Sequence, residues 1–172
     1  MLLLAWIVLA WIEDFPLSIW VRESTWGFPI SLTMHAIGMG LLAGINFVFA
    51  LRVLGIAPQV PLLALKRFFP LLWASAVLSL FSGLLLLLAY PAKALTNPLF
   101  YLKLCLICSG LILINKLAAA VTRTTSSNTT VITGSHKILA VCLLLLWMAT
   151  ITAGRFLAYT HSVLTVSELM FS

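Results

Sequence analysis

Four long apolar runs divide the chain, at about 26–54, 69–90, 98–120 and 137–159. Each reaches the ~20 residues that a helix needs to cross a bilayer. None shows the short alternating segments of a membrane barrel, so the pattern predicts four transmembrane helices in a bundle. The breaks between runs carry turn chemistry. Pro29 suits the first turn of the first span, and Gly55 and Pro58 end that span. Pro91 stops the second, and Asn97-Pro98 opens the third. Residues 122–135, TRTTSSNTTVITGS, are the one low-complexity polar stretch and predict a flexible loop. Its Asn128-Thr129-Thr130 matches a glycosylation sequon.

Ahead of the first span, residues 1–12 read MLLLAWIVLAWI. They are too short to span, and they lack the positive start and cleavage site of a signal peptide. Trp6 and Trp11 suit a water–lipid interface, so residues 1–16 predict an interfacial helix. A groove on a partner subunit is the other home for it. The remainder, 17–172, is the transmembrane domain.

Composition agrees with the pattern. Of 172 residues, 63% are hydrophobic and 8% charged, and the mean hydropathy is +1.17. This is an integral membrane protein. The net charge is +6, but no basic stripe lies on a soluble face, which argues against nucleic acid. The distribution of cations sets the topology. Arg52, Lys66, Arg67, Lys116, Arg123 and Lys137 fall on the side of the two long connections, away from the termini. The positive-inside rule then places the two long connections in the cytoplasm and both termini outside. Cys105, Cys108 and Cys142 lie within apolar runs and read as small buried hydrophobes.

One span departs from plain hydrocarbon. His35 stands two turns into the first run, and ionisable groups at that depth usually face the protein interior. At ~100° per residue, Asn46 lies about 20° from it around the helix, Ser31 about 40° and Gly38 about 60°. Gly40 and Gly44 lie about 140° and 180° away, a small-xxx-small face expected to pack on another helix. By the predicted topology, Lys103 in the third span and Arg155 in the fourth share the level of His35. Tyr159 follows Arg155 one turn on, along the same face. Two cations without an acid at their depth call for an anionic partner. Glu23 at the interface is one candidate for Arg155, and a ligand carboxylate is another.

Haem b suits this arrangement. His35 would be the metal ligand, Gly38 the clearance for the macrocycle, and Lys103 and Arg155 the partners of the propionates. His136 lies at the opposite membrane level and His161 beyond the fourth span, so neither makes a clean second ligand. The plainer readings are an interhelical hydrogen bond for His35 and Asn46, and snorkelling for Lys103 and Arg155. No catalytic motif of the zinc-protease, serine-hydrolase or phosphate-loop kind occurs.

The strings RESTWGFPISLTMHAIGMGLLAG and ALRVLG, then SGLLLLL, NPLFYLKLCLI and LLLWMATITAGRFLAY, resemble a family of uncharacterised bacterial four-helix inner-membrane proteins. More distantly, the span holding His35, Gly44 and Arg52, with the later helix holding Lys103, is similar to the membrane protoporphyrinogen oxidase and copper-resistance protein D families. That resemblance implies haem b at His35. The end of the span departs from the oxidase pattern, since Leu51 rather than proline precedes Arg52. This points away from porphyrinogen oxidation and towards a cytochrome-b-like or copper-linked role.

The expected function is therefore a small b-type haem-binding membrane protein or electron-transfer subunit, with quinone as a redox partner. The rival is a non-catalytic accessory subunit of a larger membrane complex or a homo-oligomer. Copper or small-solute transport stands third, because Met34 and Met39 form no metal ladder.

Overall fold

A computed structural model describes residues 2–126 and 133–159. Among them every regular element is helical. The order is α1 (Leu2–Glu13), α2 (Pro16–Glu23), α3 (Gly27–Val53), α4 (Leu62–Leu65), a 3₁₀ turn (Lys66–Phe68), α5 (Phe69–Ala89), α6 (Pro91–Leu95), α7 (Pro98–Ser126) and α8 (Gly134–Tyr159). Four of these, α3, the 3₁₀ turn with α5, α7 and α8, are long and apolar enough to cross a membrane. The protein is an all-α four-helix membrane protein.

The four long helices pack in the order α5–α3–α8–α7, with α3 central. Its buried positions Ser31, Gly38, Leu42, Asn46, Phe49 and Val53 fall at steps of seven, four, four, three and four residues and form one stripe. The main core gathers Leu42, Phe49, Leu72, Ile114, Leu117, Leu143 and Trp147. T-shaped aromatic pairs clamp α3 to α5 at both ends, Phe28 with Tyr90 and Phe49 with Phe69. The outer surface is hydrocarbon: Val77 and Leu145 are each 65% exposed. Such a surface requires lipid around it.

Short elements close the ends. α2 wedges between α3 and α5, burying Val21 and donating the Ser18 hydroxyl to the Leu88 carbonyl. α1 rests on α6 through Leu9 and Ala92. The loop after α3 holds Gly55 at φ 101° and Ala57 at φ 56°. Arg52 ties it down, its Nε donating to the Val60 carbonyl and its Nη2 to the Pro58 carbonyl at 2.8 Å.

Several expectations need correction. The polar loop is shorter than 122–135, because α7 continues to Ser126 and α8 begins at Gly134. Its sequon at Asn128, like His161 and the tail from 160, lies outside the described residues. The three cysteines are free and exposed rather than buried, because α7 and α8 turn those positions outward. Gly40 and Gly44 meet no neighbouring helix, and a Cβ at either would have open space around it. The close helix contact falls on Gly38 instead.

Candidate functional site

The site assembles where α3, α5, α7 and α8 come together at one level. α5 offers α3 a face of small residues: Ser75, Ser79 and Ser82 are buried at helical spacing, with Gly83 beside them. At Gly38 the two backbones meet. A Cβ there would sit 2.8 Å from the Ser79 backbone nitrogen and 3.1 Å from the Ser75 carbonyl oxygen. One turn earlier on α3, the His35 ring reaches across to α5. It lies over Gly83, where an added Cβ would be 3.1 Å from His35 Cε1.

Both ring nitrogens of His35 have partners. Nδ1 lies 3.0 Å from the Ser79 carbonyl oxygen and 3.3 Å from Ser82 Oγ. A carbonyl can only accept, so Nδ1 carries the proton and Nε2 the lone pair. The Ser82 hydroxyl spends its own proton on the Leu78 carbonyl at 2.7 Å, which leaves its oxygen free to share Nδ1–H. Nε2 in turn accepts from Lys103 Nζ at 3.2 Å. The lysine reaches α3 from α7 by lying across Gly154 of α8. A Cβ at Gly154 would come 3.5 Å from Nζ and 3.6 Å from Cε. Gly83 thus makes room for the His35 ring, and Lys103 passes Gly154, in one polar chain running Lys103–His35–Ser79.

The predicted residues divide accordingly. His35 and Lys103 meet directly, so Lys103 occupies the histidine's free nitrogen rather than the propionate position expected for it. Gly38 is not clearance for a macrocycle, because the Ser79 backbone fills that space. Arg155 is exposed, with its guanidinium carbon 5.9 Å from the centroid of the Tyr159 ring. Glu23 does not reach Arg155; it pairs with neighbouring Arg22 at 3.6 Å. His136 caps the start of α8, its Nδ1 accepting from the Thr133 backbone nitrogen at 3.3 Å. Ser79, Gly83 and Gly154 complete the site. Their signal in the sequence was the period-3.6 run of small residues in the second span and the glycine beside Arg155.

Haem b is the group that the resemblance implies, and the donor set meets one of its requirements. A metal-ligating histidine characteristically donates its other ring N–H to a carbonyl, which fixes the tautomer. His35 does this through Ser79, and its Nε2 faces a second nitrogen donor. On the α7 side, Nε2 is met by Lys103 Nζ at 3.2 Å, so the lysine would have to move for a metal to take that position. Among the described residues, no three His, Cys, Asp or Glu side chains cluster to hold a metal ion.

Comparison with known proteins returns no matching family model, no matching curated protein and no matching solved structure.

Proposed function

We propose that the protein is a small b-type haem-binding subunit of the inner membrane that takes part in electron transfer, with both termini on the periplasmic side. The observation that supports this reading is the fixed tautomer of His35, whose Nδ1–H is spent on the Ser79 carbonyl so that Nε2 keeps its lone pair, shared here with Lys103 Nζ. His35 Nε2 would be the iron ligand, with Ser79 and Ser82 orienting the ring. Lys103 would have to leave Nε2 and would then hold the group through its amine or as a cation for a propionate. Arg155, at the edge of the same level, would serve the second propionate, with Tyr159 holding its guanidinium. The group itself would supply one-electron chemistry, and a membrane quinone is the redox partner of matching solubility.

The test is a reduced-minus-oxidised spectrum and a pyridine haemochrome assay on protein purified in mild detergent. A b-type signal near one haem per chain is expected, abolished by His35→Ala. Lys103→Met should keep the haem but shift its spin state. A colourless, folded protein overturns the reading. It would favour the accessory-subunit alternative, for which the open face at Gly40 and Gly44 is the supporting feature.

A further inference from the structure

A groove opens on the face of α3 opposite His35. Gly40, Leu41, Gly44, Ile45, Val48 and Phe49 form its floor, and α4, the 3₁₀ turn and the start of α5 form its wall. Its volume is about 270 Å³ and its lining is almost wholly apolar. The glycines make the depth, because neither has a neighbouring atom within 4 Å of a Cβ position.

We infer that this groove is a binding site for an anionic phospholipid, with one acyl chain along Gly40 and Gly44 and the headgroup at Lys66 and Arg67. Three observations select this occupant. A volume of about 270 Å³ is too small to seat a helix along this floor, since a helix with side chains is ~10 Å across, but it admits a hydrocarbon chain. The length also fits. From Phe49 to Gly40 the floor rises about 14 Å, close to the ~15 Å of one leaflet's hydrocarbon. Finally, Lys66 and Arg67 stand in the chain between groove-lining Leu65 and Phe68, at the membrane-surface end. Arg67 is exposed there.

The division of labour follows from the solvent. An acyl chain leaving bulk lipid gains only contact, so the apolar floor does not by itself choose between lipids. The basic pair does, through attraction to a net negative headgroup. The floor fixes where that headgroup stands.

Native mass spectrometry of the detergent-purified chain tests this, with dioleoyl phosphatidylglycerol and dioleoyl phosphatidylcholine as competing probes. The expected result is a preference for phosphatidylglycerol, falling by about fivefold for each charge removed in Lys66→Gln with Arg67→Gln. Gly44→Leu, which has space to fold, should reduce retention of both lipids while leaving the helical circular dichroism unchanged. Equal retention of the two lipids by the native chain overturns the proposal. So does a preference that survives Lys66→Gln with Arg67→Gln, or lipid retention that Gly44→Leu leaves unchanged. A native dimer that Gly44→Leu dissociates would assign the groove to a second copy of the chain instead.

Discussion

Lys103 Nζ lies 3.2 Å from His35 Nε2, although α7 and α3 each pack on α8 rather than on one another. The contact therefore spans the bundle. On its way the lysine passes Gly154 of the intervening helix, where a Cβ would just touch it, at 3.5 Å from Nζ.

The coupling between these two residues should be measurable. In a double-mutant cycle of His35→Ala and Lys103→Met, unfolding of the detergent-solubilised protein should reveal an interaction of about 0.6–1.7 kcal/mol, the range for polar contacts between membrane helices. A coupling of zero would mean that the pair is energetically idle.

Gly154 should control the same contact from a third helix. Gly154→Leu places its branch where the Lys103 Nζ and Cε now lie, so the lysine must leave the histidine. We expect the double-mutant coupling to vanish in this background. If haem is bound through these nitrogens, its spectrum should change as it does in Lys103→Met.

The glycines of α3 should separate by face. Gly38→Ala drives a methyl to 2.8 Å from backbone that cannot yield, so α3 and α5 must part at a cost of about 1–3 kcal/mol. Gly40→Ala meets open space. It should be neutral or stabilising by up to ~1 kcal/mol through helix propensity. Thermal melts of the two variants against the parent check both signs.

Ala57 occupies a left-handed conformation at φ 56°, which costs a residue with a Cβ about 1–2 kcal/mol. Ala57→Gly removes that strain but adds unfolded-chain entropy of about 0.4–1 kcal/mol. A net gain of about 0–1.5 kcal/mol is expected. Arg52→Gln should act in the opposite direction, because it releases the Pro58 and Val60 carbonyls. Faster proteolysis at residues 55–61 would report it.

Asn46 is wholly buried, yet its amide donates only to the Leu42 carbonyl of its own helix, at 2.8 Å. Among the described residues its Oδ1 has no partner. Such an atom keeps its desolvation cost. Asn46→Leu, of similar size, should raise stability by about 1 kcal/mol in the same melts. A loss would indicate that the oxygen is satisfied in the membrane.

The sequence by itself determined that this is a four-helix membrane protein, because hydrocarbon thickness sets the length of an apolar run and proline, glycine and charge mark its ends. It also singled out His35 and Lys103, since ionisable groups are rare at that depth. Only the tertiary structure decided what they touch. Angular position on α3 was correct for Gly38, Gly40 and Gly44, but it cannot say which face a neighbour takes. The neighbour came to Gly38, and the pair expected to pack was left as a groove. The serines of α5 and the glycine of α8 became parts of the site for the same reason. Periodicity fixes which residues of one helix share a face, whereas the order in which helices pack depends on how their surfaces fit together.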